Sequence, residues 1–206
     1  MGRSLMEVGL GHGGYRNYLP QIDSYIGVDI DKDCIENAQQ RFPHDQFLCA
    51  DITSRRFVES AAGLAVDSVL CANVLEHIKQ DRLAVEQLTK ALKIGGYLLI
   101  FVPAFEFLYA PMDELAGHLR RYNTDQLQQI LQGDNREIVT MRYFNALGGL
   151  GWWVNKFLPH RSLDSNSVNT QIKIFDKLGV PVAKLCDFGT NRYFGQSVFA
   201  ICRRRK

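Results

Sequence analysis

A cluster of glycines follows a short apolar run near the start of the chain, in the sequence "LMEVGLGHGG" (residues 5–14). Glycines after a strand let the backbone turn sharply and pass close to a ligand, while the next helix presents its N-terminal N–H groups to that ligand. Gly9, Gly11 and Gly14 fit the G-x-G-x-x-G pattern of dinucleotide sites. The glycines alone leave open which adenosine-containing ligand the loop would hold.

Polar residues also end the next apolar runs. Asp29 stands 20 residues after Gly9, where a carboxylate can accept both hydroxyls of a ribose. The alternative role for Asp29 is to cap the following helix, although Asp31 suits that role better. Asp51 ends the third run, within reach of an adenine amino group. Glu7 stands two residues before the first glycine, where dinucleotide folds usually carry a small or apolar residue, so it argues against a dinucleotide.

A second group of reactive side chains lies in "MDELAGHLRRYNTDQL" (residues 112–127). Glu114, His118 and Tyr122 are spaced four apart, so a helix would place them on one face, with Arg121 beside it. A histidine next to a carboxylate can act as a general base, and Arg121 with Arg120 could clamp an anion. The alternative is a helix that makes only surface or packing contacts.

His77 competes with His118 for the role of base. It belongs to "ANVLEHI" (residues 72–78), which ends the fourth apolar run and also carries Asn73 and Glu76. Ligands of open α/β sheets bind at the carboxyl edge of the sheet, where these residues would lie. The alternative for His77 is a supporting role behind the reactive groups.

Apolar runs alternate with polar, helix-like stretches through the first 104 residues, which predicts parallel strands joined by crossover helices. The sequence therefore predicts a doubly wound, Rossmann-like α/β fold with helices on both faces of the sheet. Beyond this region the segment at 106–132 contains helical stretches. The predicted strands are residues 4–10, 25–30, 46–52, 67–75, 95–104, 136–144 and 195–203. One helix is predicted to start within residues 13–19, and three further helices are predicted at residues 32–42, 55–64 and 80–92.

The successive motifs "EVGLGHG", "GVDID", "ADI", "NVLEHI" and "LKIGGYLLIFVP" resemble those of class I S-adenosylmethionine-dependent methyltransferases over residues 4–104. The resemblance implies a seven-stranded sheet, mostly parallel, with an antiparallel last strand. It also implies the site: glycines around the methionine part of the cofactor, Glu7 near its ammonium, an aspartate on the ribose, a second aspartate on the adenine, and an asparagine beneath the methionine. The cofactor-binding residues expected on this basis are Glu7, Gly9, Gly11, Gly13, Asp29, Ile30, Asp51, Ile52 and Asn73.

The expected activity is methyl transfer to an oxygen or nitrogen of a small or lipid-linked metabolite, with His118, His77 and Arg121 as the candidate catalytic residues. The leaving group is neutral and the ligand spacings indicate no metal, so none is expected. Two alternatives stay open: a non-catalytic S-adenosylmethionine-binding protein and an NAD(P)-dependent oxidoreductase. Residues 112–127, 151–153 and 195–197 also resemble segments of a bacterial methyltransferase subgroup suspected of acting in envelope glycan or lipid-linked sugar metabolism.

One methyltransferase domain is expected over residues 1–206, with a cofactor-binding half (1–104), a substrate-side half (105–206) and a lid-like insertion (143–194). The net charge is +2, and the terminal "RRRK" alone supplies four positive charges. The rest of the chain is therefore slightly negative, so no nucleic-acid surface is expected. No apolar run is long enough to span a bilayer, and the five unpaired cysteines suit a reducing compartment, so a cytoplasmic protein is expected. Trp and Lys in 143–158 leave peripheral membrane contact open. The sequence does not predict the oligomeric state.

Overall fold

A seven-stranded sheet forms the centre of the computed structural model, which describes residues 3–11, 15–19, 22–61, 63–156 and 188–206. The strand order is β3-β2-β1-β4-β5-β7-β6, and β7 runs antiparallel to both of its neighbours. The predicted doubly wound fold with an antiparallel last strand is confirmed. The strands are β1 (Ser4–Val8), β2 (Ser24–Asp29), β3 (Gln46–Cys49), β4 (Val66–Ala72), β5 (Leu92–Pro103), β6 (Arg136–Phe144) and β7 (Ser197–Arg204).

Helices connect most of these strands. Asp31 caps the first helix by accepting hydrogen bonds from the backbone N–H groups of Asp33 and Cys34, while Ile35 and Ala38 turn inward. The α-helices are α1 (Lys32–Arg41), α2 (Arg55–Ala61), α3 (Asp81–Ala91), α4 (Pro111–Leu115), α5 (Thr124–Leu131) and α6 (Ala146–Asn155). Short 3₁₀ helices occupy Tyr15–Tyr18, Leu75–His77 and Glu106–Leu108.

The central strands are apolar on both faces because helices cover both sides of the sheet. Met6 and Val8 of β1 are buried on opposite sides from Leu5, and Val69 and Cys71 of β4 are fully buried. Burial of this apolar surface provides the main stabilisation of the fold, at roughly 25 cal/mol per Å² removed from water. The hydrophobic pattern of these runs thus specifies which strands lie in the middle.

The strand register brings the functional loops together. Val8 at the end of β1 pairs with Val28 of β2 on one side and with Cys71 of β4 on the other. Chain order reverses at this point, because β2 and β3 lie to one side of β1 while β4 and β5 lie to the other. Such a switch point opens a crevice at the carboxyl ends of the strands.

A single helix across residues 112–127 does not form, although the helical stretches predicted within 106–132 are present as α4 and α5. Helix α4 ends at Leu115, and Gly117 has a φ of +78°, a left-handed conformation that breaks the helix. The chain then runs without helical structure to Tyr122, which forms a parallel bridge with Ala104, and α5 begins at Thr124. Glu114, His118 and Tyr122 therefore do not share one helical face.

The described residues form no helix that is both long enough and apolar enough to cross a membrane.

Candidate functional site

A cavity of about 690 Å³ opens at the carboxyl edge of the sheet, at the switch point between β1 and β4. This volume lies within the range of small-molecule and cofactor sites. Its walls come from the loops that follow β1, β2, β3 and β4. The residues that line it are Val8, Gly9, Gly11, Val28, Asp29, Ile30, Ala50, Asp51, Ile52, Thr53, Asn73, Val74, His77, Ile78, Lys79 and Gln80.

The glycine turn after β1 forms the floor of this cavity. Gly9 has a φ of +70°, and a Cβ added there would lie 2.2 Å from Cγ2 of Val74. Its backbone N–H donates to the carbonyl of Val28 over 2.8 Å, which holds the turn against β2. Gly11, with a φ of +50°, also adopts the left-handed conformation. Gly13, the third predicted glycine, lies outside the described residues.

Asp29 stands where β2 ends and faces the glycine turn. Its Oδ2 accepts a hydrogen bond from the backbone N–H of Gly11 over 2.9 Å, and its Oδ1 accepts one from the backbone N–H of Asp31 over 2.9 Å. The carboxylate is therefore fixed in orientation at the rim of the cavity. Ile30, the next residue, is 71% exposed and lines the same wall, so its side chain is free to cover a planar group.

Asp51 and Ile52 form the wall after β3. Oδ1 of Asp51 accepts hydrogen bonds from the backbone N–H and the Oγ1 hydroxyl of Thr53, both over 2.7 Å. Ile52 is buried and packs into the core while it lines the cavity. Thr53 was missed in the sequence, although an Asp-x-Thr turn is a known local hydrogen-bonding pattern.

Glu7 lies inside the sheet rather than on the cavity surface as far as the described residues define it. Its Oε2 accepts a hydrogen bond from the hydroxyl of Tyr25 over 2.7 Å, and its Oε1 has no partner among the described residues. Burial raises the pKa of Glu7, and the Tyr25 hydrogen bond offsets this in part. A buried carboxylate with one unsatisfied oxygen is suited to meet a cation or a water molecule.

Asn73 follows β4 with a φ of +54°, a conformation that Asn tolerates better than most side chains. Its backbone N–H donates to the carbonyl of Phe101 over 2.8 Å. The turn leads directly into the 3₁₀ helix Leu75–His77, so His77 comes to the same wall of the cavity as Asn73.

His118 and Arg121 meet at a single carboxylate, that of Asp113. Nδ1 of His118 lies 2.8 Å from Oδ1 of Asp113, and Nε of Arg121 donates to the same oxygen over 3.0 Å. The second oxygen of Asp113 accepts from the backbone N–H of Ala110. Burial alone would raise the pKa of Asp113, but the hydrogen bonds from His118 and Arg121 outweigh it, and this pKa is lowered. Asp113 is therefore an ionised anchor.

The two candidate bases, His77 and His118, lie next to each other. The rings of His77 and His118 lie 4.8 Å apart, edge to face. Nδ1 of His77 lies 3.1 Å from the carbonyl of Gly117. The pKa of His77 is lowered, first by burial and then by the neighbouring His118. The left-handed Gly117 thus brings the loop of His118 against the 3₁₀ helix that carries His77.

Glu76 completes this group from beneath. Its carboxyl group is fully buried, and neither oxygen has a hydrogen-bond partner among the described residues. Oε1 lies 3.9 Å from Nε2 of His118. Burial raises the pKa of Glu76 to about 7. Its backbone carbonyl accepts from the N–H of Leu119, which fastens the His118 loop to this turn.

The structure places neither arginine as a free anion clamp. The side chain of Arg121 is 2% exposed, pairs with Asp113 at 2.8 Å and donates to the carbonyl of Ala104. Arg120 pairs with Asp81 at 2.8 Å. The anion-binding interpretation is therefore corrected, because both guanidinium groups already have carboxylate partners.

Helix α6 borders this cluster through Trp152. The ring of Trp152 lies over the guanidinium of Arg121 at 5.1 Å, and Nζ of Lys156 donates to the carbonyl of Phe107. The exposed side chains of Leu150, Trp153 and Val154 lie on the outside of this helix. Most of the predicted lid, residues 157–187, lies outside the described residues, so the lid stays a prediction.

Asp113 is the residue that sequence reasoning missed. The assumed helix paired His118 with Glu114, four residues earlier, whereas the actual turn presents the side chain of Asp113, five residues earlier. The signal that could have found it is Gly117, since a glycine directly before the histidine is an indication of a helix end. Glu76 was noticed in its motif, but its burial without a partner is not visible in the sequence.

The strand order, the antiparallel last strand and the cavity at the switch point define a class I S-adenosylmethionine-dependent methyltransferase fold. Residues 6–100, just under half of the chain, match the model of the methyltransferase domain family. S-adenosylmethionine is the cofactor of this domain. This result favours S-adenosylmethionine over a dinucleotide as the ligand expected from the glycine motif.

Solved structures with this fold are distant in sequence. An S-adenosylmethionine-dependent methyltransferase from Archaeoglobus fulgidus is 20% identical with a TM-score of 0.63, over 98% of this chain and 86% of that one. The N-methyltransferase NodS from Bradyrhizobium japonicum, in complex with S-adenosyl-L-homocysteine, is 15% identical with a TM-score of 0.56, over 98% and 77%.

The [4+2]-cyclase SpnF is 18% identical with a TM-score of 0.63, over 99% of this chain and 76% of that one. At these identities the likeness shows the fold alone. No match was found among the curated proteins.

Proposed function

We propose that this protein is an enzyme that transfers the methyl group of S-adenosylmethionine to an oxygen or nitrogen atom of a small or lipid-linked metabolite. The observation that carries the proposal is the His118–Asp113 contact of 2.8 Å, one ring away from His77 on the cavity wall. A histidine fixed by a carboxylate is the arrangement expected of a general base. A protein that only bound the cofactor would have no need of it.

The cofactor would lie across the glycine turn. In this proposal Asp29 binds the ribose hydroxyls and Asp51 binds the adenine, with Ile30 and Ile52 packed beside these groups. The methionine part lies against the backbone of Gly9 and Gly11. Gly9 has to be a glycine in this turn, because Val74 leaves no space for a side chain there.

The remaining contacts of the cofactor would be polar. Glu7 supports the ammonium through its free oxygen, and Asn73 lies beneath the methionine. Gly13 is proposed for the same turn on sequence grounds alone.

The reaction is an in-line displacement. The bond between the sulfonium sulfur and the methyl carbon breaks, and a bond forms between that carbon and the acceptor oxygen or nitrogen. S-adenosylhomocysteine leaves as a neutral thioether, and the acceptor proton passes to the base. The enzyme contributes mainly by holding the two reactants in line at close distance, which can account for about 7–11 kcal/mol of the barrier.

The catalytic roles follow from position. His77 lines the cavity, so it is the histidine that meets the acceptor, and His118 supports it from behind. Asp113 fixes His118, and Arg121 neutralises Asp113. Arg121 is accordingly a positioning residue in this proposal rather than a catalytic one.

The lipid-linked alternative for the acceptor rests on α6. It exposes Leu150, Trp153 and Val154, its Trp152 lies over the guanidinium of Arg121, and Lys156 ends the helix. Such a combination suits the boundary of a lipid layer. A small polar acceptor would not require it.

The experiment has two stages. Calorimetry with S-adenosylmethionine, S-adenosylhomocysteine and NAD should give binding of the first two and none of NAD. The protein is then incubated with methyl-labelled S-adenosylmethionine and with fractions of water-soluble and lipid extracts, and labelled products are identified by mass spectrometry. Label in one fraction supports the proposal. Cofactor binding with no label transferred to any fraction would favour the non-catalytic alternative.

A further inference from the structure

Three side chains that could ligate a metal meet at the edge of the cavity: Glu76, His77 and His118. One ligand atom from each lies within 4.8 Å of the other two. We propose that they form a binding site for one divalent transition-metal ion of the Zn²⁺ or Co²⁺ type. Their spacing in the sequence, an adjacent pair and a third residue 41 positions later, did not indicate a metal site.

The environment of Glu76 is suited to a bound cation. It is 0% exposed, and both carboxylate oxygens lack a partner among the described residues. When it is ionised, such a carboxylate has lost its hydration and has no counter-charge beside it, which is unfavourable. A metal ion at 2.0–2.2 Å, the usual distance for a carboxylate ligand of Zn²⁺, would satisfy it. Oε1 of Glu76 already faces Nε2 of His118 at 3.9 Å.

Both histidines are held as metal ligands usually are. Nδ1 of His118 faces Oδ1 of Asp113 at 2.8 Å, and Nδ1 of His77 faces the carbonyl of Gly117 at 3.1 Å. Since both partners are acceptors, each Nδ1 carries the proton and each Nε2 keeps a lone pair. A metal-bound histidine almost always donates its other N–H to a carboxylate or a backbone carbonyl in this way.

The distances allow closure around an ion. Tetrahedral Zn²⁺ with bonds of about 2.0–2.1 Å brings its ligand atoms to roughly 3.3 Å from each other. The ligand atoms of this cluster lie within 4.8 Å of one another, and His77 is exposed, so its ring has room to move toward the other two in the proposed site. Three protein ligands would leave a fourth position open to a molecule in the cavity, which His77 lines.

The charge of the cluster also favours a cation. When Glu76 is ionised and the histidines are neutral, the cluster carries one net negative charge, because Arg121 pairs with Asp113 and offsets only that carboxylate. Two imidazoles with one carboxylate suit Zn²⁺ and Co²⁺, whereas Mg²⁺ prefers oxygen ligands only.

The consequence for catalysis rests on the proposed function. An acceptor hydroxyl bound at the open position would lose its proton more readily, because a bound divalent ion lowers the pKa of a coordinated oxygen. The resulting oxygen then takes the methyl group, so the site favours a hydroxyl acceptor over an amine. With both histidines bound to the ion, neither can take that proton, so in the metal-bound protein it leaves to solvent instead of passing to a histidine base. S-adenosylhomocysteine forms by the same displacement.

The binding test uses the full chain after treatment with a chelator. Calorimetric titration with Zn²⁺ and absorption spectra with Co²⁺ should give one ion per chain, with weaker binding of Mg²⁺. Asp113→Asn should lower the Zn²⁺ affinity at least ~10-fold, the usual effect of losing a ligand's outer partner, and His118→Ala and Glu76→Gln should lower it further. His44→Ala, at an exposed histidine away from the cluster, is the control and should bind as the parent does. Thermal melting confirms that each variant is folded.

Equal affinity in the parent and in both ligand variants would overturn the site, as would preference for Mg²⁺. A second measurement separates this proposal from the proposed function. One Zn²⁺ bound with no methyl transfer would keep the site and overturn the enzyme. Methyl transfer that continues at the full rate in fully metal-free protein would overturn the catalytic part of this inference alone.

Discussion

Asp29 and Gly11 are joined by a hydrogen bond from the backbone N–H of Gly11 to Oδ2 of the carboxylate, over 2.9 Å. The residue proposed to bind the ribose thus also holds the glycine turn beside it. Ribose recognition and the shape of the turn therefore depend on the same side chain. A substitution of Asp29 should change the affinity for the cofactor more than the stability of the fold.

Asp29→Ala should weaken S-adenosylmethionine binding at least ~10-fold, because hydrogen bonds to a charged group are worth about 1.5–3 kcal/mol. Calorimetry measures the affinity. Asp31→Ala is the matched control: it removes the cap of α1, at a cost of about 0.5–2 kcal/mol of stability, and should leave the affinity unchanged. Unchanged affinity in Asp29→Ala would remove the ribose assignment.

Gly9→Ala should destabilise the protein and abolish cofactor binding. The left-handed backbone at φ +70° costs a non-glycine residue about 1–2 kcal/mol, and the added Cβ would lie 2.2 Å from Val74. Gly11→Ala has the same type of backbone, and its Cβ would meet no described atom within 4 Å, so only the conformational cost should appear. Urea unfolding compares the two. Adding Val74→Ala to Gly9→Ala should recover part of the loss. A Gly9→Ala protein as stable as Gly11→Ala would contradict the collision.

The pH dependence of stability should report on Glu7. Burial raises the pKa of Glu7 above its ordinary value of 4.5, so the folded protein holds this proton more tightly than the unfolded chain does. The contribution of the carboxyl to stability is therefore complete below its ordinary pKa and is lost as pH rises through the raised pKa. The neutral variant Glu7→Gln should gain stability relative to the parent with rising pH.

Urea unfolding between about pH 4 and about pH 8 measures this difference. Tyr25→Phe removes the hydroxyl that donates to Glu7 and is the second variant. It should lower stability by about 1–3 kcal/mol, because the buried carboxyl is then left without that partner. A stability difference between Glu7→Gln and the parent that does not vary with pH would rule out a raised pKa.

His118→Ala should spare the binding of S-adenosylmethionine and lower turnover, because it removes the ring that supports the proposed base, His77. The loss should be at most the roughly 10²–10⁴-fold that general acid–base catalysis contributes. Cofactor binding is spared because the described cavity wall does not include His118. Asp113→Asn should lower turnover in the same direction, since the contact that orients the ring is weakened. Turnover equal to that of the parent in His118→Ala would take this residue out of the mechanism.

The sequence was sufficient for the sheet and insufficient for the substrate side, for a physical reason. Strand β2 is buried on both faces from Tyr25 to Val28, so a continuous apolar run in the sequence is enough to predict its position. The carboxyl ends of parallel strands must meet, so Asp29, Asp51 and Asn73 could be placed on one edge before the structure was known.

The His118 cluster depended instead on how a loop turns. The left-handed backbone of Gly117 turns the chain where a helix could have continued. As a result, His118 contacts Asp113 and not Glu114. The unpartnered burial of Glu76 likewise results from packing between segments that are distant in sequence. Local sequence patterns do not predict contacts between such distant segments.

The Arg121–Asp113 pair should be worth more to stability than the Arg120–Asp81 pair. Both side chains of the first pair are buried, at 2% and 0% exposure, whereas Arg120 is 34% exposed. Arg121→Met leaves an uncompensated buried carboxylate and should cost about 3–5 kcal/mol, while Arg120→Met should cost about 1 kcal/mol or less. Urea unfolding of each variant gives these values. The double variant Arg121→Met/Asp113→Leu should recover much of the loss, because no buried charge is then unpaired. If the double variant is less stable than Arg121→Met, the loss in the single variant comes from packing around Trp152 rather than from charge.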